Sequence, residues 1–220
     1  MRKRKFGRLY YPDKRDLKFL MKPDLKKASK IEYRYHYVGD PLDQGESPRC
    51  VGFSGYKYLT AGPVRNTKLP FTAGGLYKLA QENDEWEGTN YEGTSVRGLF
   101  KYLNKAGYIQ RYEWAFDVEV IAAHILTVGP VVVGTNWFEG MEKPDSKEVL
   151  EVSGGILGGH AYVLCGCNRK KKLFRMINSW GKWGSNGKAW IRFEDFKKLI
   201  EDEGEACVAT EIDLDKKGGD

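Results

Sequence analysis

A chain of 220 residues and 25.1 kDa, 41% apolar and with 26 glycines, is long enough to bury a sizeable core, which excludes a disordered chain and a disulfide-stapled miniprotein. Its 36 basic and 30 acidic side chains leave a net charge of +6, but the signs are mixed along the chain outside residues 1–5 and 169–172. That pattern reads as a solvated basic surface rather than a nucleic-acid site. The longest apolar stretch, 120–134, contains His124, Thr127 and Gly129-Pro130, so it is too short and interrupted to cross a bilayer. The opening Met-Arg-Lys-Arg-Lys is not followed by the apolar region of a signal peptide.

In chain order, Ile31, Tyr33, Tyr35 and Tyr37 alternate with Glu32, Arg34 and His36, which predicts a strand over 31–38 with His36 solvated on its polar face. A Gly-, Pro- and Asp-rich loop follows over 39–49. A helix is expected from Cys50 to just before Gly62-Pro63; its small residues Gly52, Ser54 and Gly55 suggest close packing. Further helices are expected over 72–81, from Thr94 or Ser95 to about 105, and from an Asp117 cap to the Gly129-Pro130 break. His124 reads as a packed helix residue. Strands are then expected at 131–137, 161–167, 173–178, 189–193 and 206–212, with a short helix near 194–202. Helices first and strands later predict an α+β protein of two lobes.

Three fragments carry chemistry: Asp43-Gln44-Gly45-Glu46-Ser47-Pro48-Arg49-Cys50, Gly158-Gly159-His160-Ala161 and Asn178-Ser179-Trp180-Gly181. Cys50 sits where a loop enters a helix, a position that favours thiolate. The polar tip at 168–172 predicts a hairpin between strands 161–167 and 173–178. With the turn centred on Lys170, Asn178 lies opposite Tyr162 and diagonal to His160; centred on Arg169, Asn178 faces His160 directly. Either register keeps Asn178 within side-chain reach of the imidazole. Trp180, on the same face, would shield that bond. A thiol, an imidazole and an orienting amide supply nucleophile, base and orienter.

These motifs, in this order, resemble the papain family of cysteine peptidases over about residues 40–212. Trp183-Gly184 and Gly187 after Asn178, and Gly129-Pro130 before a valine strand, are further similar pieces. His160 lies 110 residues after Cys50 and Asn178 128 after it, closer than the roughly 130–150 usual for such enzymes. This compactness is more like bacterial or phage members. The resemblance implies Cys50 as nucleophile, His160 as acid/base and Asn178 as its orienter, with the Gln44 side chain and the Cys50 N–H as oxyanion donors. It implies a papain-like two-lobe α+β fold: a helical lobe over about 40–116 with Cys50 on its central helix, and an antiparallel, barrel-like β lobe over about 117–212. Residues 1–39 would be a basic lead-in and 213–220 a polar tail. Two departures are Val51, where an aromatic usually follows the nucleophile, and Ser47, where secreted members commonly carry a disulfide cysteine.

The implied activity is hydrolysis of peptide bonds through an acyl-enzyme. The alternatives are a cell-wall peptidase or amidase of the same chemistry, or a non-catalytic papain-fold binding protein. No cofactor, metal, nucleic acid or membrane is expected; the partner is a protein or peptide substrate, and the chain is expected to be monomeric. Cys165-Gly166-Cys167 lacks further ligands, and its two thiols are expected on the face opposite His160. Their spacing, ~6.6–6.8 Å, strains a disulfide, so four free thiols and a reducing, cytoplasmic setting are expected. Of these thiols Cys50 is expected to be the most ionised and the first alkylated. Gly159 leaves room beside His160, which suggests a substrate-binding role with Trp180 and tolerance of a bulky apolar residue there. The 49 residues before Cys50 are short for an inhibitory pro-region, so activity without N-terminal clipping is expected.

Overall fold

Alternation along the valine strand sorts the protein into two cores. The computed structural model describes residues 4–66 and 68–212; the tail expected over 213–220 lies outside them. Within these, Val131 and Val133 enter one core with Tyr162, Leu164 and Met176, while Val132 enters the other with Ala161, Val163 and Ile177. The elements meeting there are β1 (Tyr33–Tyr35), β2 (Ile109–Ala115), β3 (Val131–Phe138), β4 (Ile156–Asn168), β5 (Leu173–Ile177), β6 (Lys188–Arg192) and β7 (Glu205–Ile212). They form one antiparallel sheet in the order β2-β7-β3-β4-β5-β6, with β1 paired to β4.

One sheet face packs on α2 (Cys50–Thr60), α3 (Ala73–Gln81) and α4 (Val96–Lys105); the other packs on α5 (Val118–Thr127) and α7 (Phe193–Glu201). Short turns α1 (Leu25–Ala28) and α6 (Trp183–Asn186) and 3-10 turns at Lys14–Lys18 and Glu139–Met141 complete the helical elements of the described residues. Thr72, Ser95 and Asp117 cap α3, α4 and α5 through side-chain oxygens, as their residue types lead one to expect. α2 is buried on most of its surface because Gly52 lies against the backbone of Ala73 and Tyr77, where a Cβ would come within 2.5 Å of the Tyr77 nitrogen. No helix of the described residues is long and apolar enough to cross a membrane.

The structure corrects four expectations. The first strand is only Tyr33–Tyr35, and its tyrosines face out: Tyr33, Tyr35 and Tyr37 are 61%, 48% and 57% exposed. His36 is correspondingly half-buried, its Nε2 2.7 Å from the Ile125 carbonyl, and burial lowers its pKa. A β-bulge between Leu164 and Gly166 turns the chain over, so Cys165 packs against the α2–α4 side but Cys167 joins the opposite core, on the His160 side of the sheet. Finally, β2 has no counterpart in the sequence reading: it is an edge strand whose Gln110 and Arg111 are solvated, so its apolar signal is diluted. His124 is packed within α5, and burial holds its pKa down to about 4.

Candidate active site

Cys50 is the first residue of α2, and Arg49 before it makes no side-chain cap, so first-turn N–H groups remain unclaimed by a side chain. The backbone N–H groups of Ala161, Gly7 and Val51 lie around the thiol and favour its ionised form. Ala161 follows His160 on β4, which brings the nucleophile candidate to the strand that carries the imidazole.

The hairpin supplies the orienter. Val163 pairs with Ile177 and Leu164 with Met176, which is the register centred on Lys170 near the site; the bulge shifts it by one towards the tip. Asn178 follows β5 directly, and its Oδ1 accepts from His160 Nε2 at 2.7 Å and from the Ser179 N–H at 2.8 Å. With Nε2 so engaged, Nδ1 has no hydrogen-bond partner among the described residues. Trp180 lies over the imidazole at 4.6 Å between ring centroids, and Trp137 meets it edge-on at 4.9 Å. Both rings exclude water from the His160–Asn178 bond.

Gln44 is locked to the same segment. Its N–H donates to the Ser179 carbonyl at 2.9 Å, and Ser179 Oγ donates to Gln44 Oε1 at 2.6 Å. That leaves Gln44 Nε2 to donate to the carbonyls of Ser47 (2.6 Å) and Lys5 (3.2 Å). Gln44, Ser179, Asn178 and His160 thus form one linked series, and Ala161, the residue after His160, lies against the Cys50 thiol. Ser179 and Trp137 were not singled out by sequence. The first was visible within the Asn-Ser-Trp-Gly fragment; the second stands in an apolar strand that reads as core.

The acceptor Lys5 belongs to an N-terminal strap that fills the cleft. The Gly7 and Arg8 N–H groups donate to the Gly159 carbonyl at 3.1 and 2.9 Å, Thr94 N–H donates to Gly7 at 2.9 Å, and Leu9 N–H donates to Thr94 at 2.9 Å. Phe6 packs edge-on against His160 and Trp180, with centroids 5.9 and 6.0 Å away, and the Arg4 guanidinium lies 4.2 Å above Trp180. Side chains at neither Gly7 nor Gly159 would fit: a Cβ on the first collides with the Pro48 carbonyl and on the second with the Arg8 carbonyl. The room beside Gly159 therefore accommodates strap backbone. The Arg8 side chain goes on to a pocket holding Glu205.

Cys50 and His160 are fully buried beneath this strap. Burial raises the thiol to about 11 and lowers the imidazole to about 4, so in this conformation both are neutral. The expected thiolate at the helix start is overridden by desolvation, and the expectation of activity without N-terminal clipping runs against a covered nucleophile. The other three cysteines are also buried and unpaired, with Cys165 and Cys167 both raised to about 12.

No protein-family model and no curated protein matches the sequence. Solved structures do. Xylellain, a cysteine protease from Xylella fastidiosa, superposes with a TM-score of 0.71 at 17% identity, covering 97% of this chain and 99% of that one. Digestive procathepsin L3 from Tenebrio molitor larval midgut gives 0.60 at 15% identity, covering 94% and 76%. The ragweed pollen allergen Amb a 11 cysteine protease, in its proform, gives 0.57 at 17%, covering 89% and 71%. With the helix, sheet and cleft described above, these likenesses establish that the chain has a papain-like fold.

Proposed function

We propose that this protein is a cysteine peptidase held closed by its own N-terminal strap. The linked series Gln44–Ser179–Asn178–His160, with Cys50 at a helix start against Ala161, the residue after His160, carries this reading. Once the strap leaves and water enters, desolvation no longer opposes charge. His160 Nδ1 takes the thiol proton, the sulfur attacks the substrate carbonyl, and Gln44 Nε2, freed from the Lys5 carbonyl, donates to the oxyanion. His160 then returns the proton to the leaving amine, and water attacks the acyl-enzyme to release the acid and the thiol.

The strap's direction explains why it is not itself a substrate. The leaving amine must lie on the His160 side, where Phe6 packs; the acyl portion lies towards Thr94, which pairs with Arg8 and Leu9. A productive peptide runs from Thr94 towards His160, whereas the strap runs from His160 towards Thr94.

The test uses the full chain with a site-specific protease sequence inserted between exposed Tyr11 and Pro12. This point precedes Asp13 and Asp16, which remain anchored to Arg97. After clipping in the folded state and gel filtration, the protein is expected to digest denatured casein, and Cys50→Ala to abolish digestion. Hydrolysis of purified peptidoglycan with casein left intact would move the same chemistry to cell-wall amides. Hydrolysis of neither, with Cys50 open to alkylation, would refute the enzyme.

A further inference from the structure

Far from the cleft, part of the sheet face at the β1 end of β4 stays open to solvent. The register sets Tyr35, Gly166, Arg175 and Trp190 in one row across β1, β4, β5 and β6, and Tyr33, Asn168, Leu173 and Arg192 in the next. Apart from Gly166, every one of these residues reaches the surface. Three aromatic rings adjoin there: Tyr33 and Tyr35 stack at 5.8 Å, and Tyr35 meets Trp190 edge-on at 5.7 Å. Gly166 makes room for this row. A Cβ on it would stand 2.4 Å from Tyr35 Cδ1, so its missing side chain lets the tyrosine ring lie across β4. Planar polar groups are fixed around the rings. The Arg175 guanidinium lies 4.7 Å over Trp190 and donates to Glu148 at 2.7 Å, and Asn168 Nδ2 reaches the Tyr35 hydroxyl at 3.5 Å.

Charge and shape together define what fits. Arg175 is paired with Glu148 and Arg192 with Asp195, with Lys188 as a further cation, so the face has little net charge and no basic track for a polyanion. A single row of rings bounded by ion pairs is also too narrow for the apolar centre of a protein interface, which covers about 800 Å² per partner. Rings edged by amide, guanidinium and carboxylate groups suit an extended sugar strand instead. The C–H faces of pyranose rings pack on aromatic rings, and the hydroxyls at their rims bond to planar polar groups. A β-1,4-linked strand is a flat ribbon, matching rings set along one sheet row. We propose that this face binds a neutral β-1,4-linked glycan strand, with Tyr33, Tyr35 and Trp190 as the stacking residues. This goes beyond the peptidase reading and does not depend on it. Gly166 lies six residues from His160 along β4, about 20 Å in extended chain, so a glycan held here leaves the cleft free. Binding there holds the protein on a polysaccharide matrix while the cleft acts.

The experiment titrates the full chain with chitohexaose, cellohexaose and a single-stranded oligothymidylate, followed by calorimetry and by the NMR signal of the Trp190 indole N–H. We expect at least one of the two sugars to bind and to shift that signal. Replacing both tyrosines, Tyr33→Ala with Tyr35→Ala, should weaken binding by about tenfold or more, the scale of two lost aromatic contacts. Both are exposed, so the double variant should unfold at nearly the parent's Tm. Gly166→Ala, which keeps both rings but displaces Tyr35 from β4, should weaken binding as well. No binding of either sugar by the parent protein, or binding that leaves the Trp190 signal unmoved, would overturn the proposal without recourse to a variant. Equal affinity in the parent and the double variant would overturn it too. Tighter binding of the oligothymidylate, weakening steeply with salt, would assign the face to a polyanion instead. Casein digestion by the clipped protein is read separately, so the peptidase reading and the glycan face stand or fall apart.

Discussion

Gln44 shows how much the site depends on orientation at the level of single atoms. Because Ser179 Oγ donates to Oε1, the amide is held with Nε2 towards the cleft. Gln44→Ala in the clipped protein is expected to lower kcat roughly 10²–10³-fold, the scale of one lost oxyanion donor. Asn178→Ala should cost less, since Trp137 and Trp180 still confine the imidazole; its effect should fall on kcat and on the pH profile of kcat/KM. An unchanged kcat for Gln44→Ala would remove the oxyanion role. Cys50, His160, Asn178 and Gln44 were legible in the sequence because each sits in a short fragment whose neighbours constrain it. The Arg8–Glu205 ion pair was not: a lone glutamate before a predicted strand carries no signal until folding sets Gly134 beside it and Arg8 against it.

At the level of elements, spacing and caps were legible and irregularities were not. The hairpin register needed only a turn centre and a parity rule, and it placed Asn178 beside His160. The same rule failed at Cys167, because a single-residue bulge reverses parity and leaves no mark on the hydrophobic pattern. Exposed tyrosines misled in the same way: Tyr33 and Tyr35 stack on each other, and Tyr35 meets Trp190 edge-on at the sheet surface rather than entering a core. Two substitutions test the helix packing. Gly52→Ala forces a methyl against the α3 backbone and should cost about 1–3 kcal/mol. Ser95→Ala removes the buried N-cap bond to Gly98 and should cost about 1–2 kcal/mol. Thermal unfolding should show a fall of roughly 2–4 °C per kcal/mol; a Tm unchanged for Gly52→Ala would contradict the close approach of α2 and α3.

For the whole molecule, the decisive feature is the strap, and sequence could not show it. Residues 4–9 carry no motif, and their pairing with Thr94 and Gly159 exists only once both walls of the cleft are folded. Closure also has a pH dependence. Strap closure keeps His160 neutral, with its pKa lowered by burial to about 4 against about 6.5 when solvated. Opening therefore takes up a proton between these values, and closure weakens as pH falls from about 6.5 to about 4. Amide-exchange protection of Gly7, Arg8 and Leu9 should drop across that window; constant protection would mean that His160 does not report closure. The most direct measurement is site-resolved alkylation of the four cysteines by iodoacetamide near pH 6, before and after clipping between Tyr11 and Pro12. Cys50 should be inert in the intact chain and the fastest of the four once the strap is gone, with that rate falling in His160→Ala. A Cys50 that reacts equally fast before clipping, or no faster than Cys165, Cys167 and Cys207 afterwards, would contradict a strap-covered, imidazole-activated thiol.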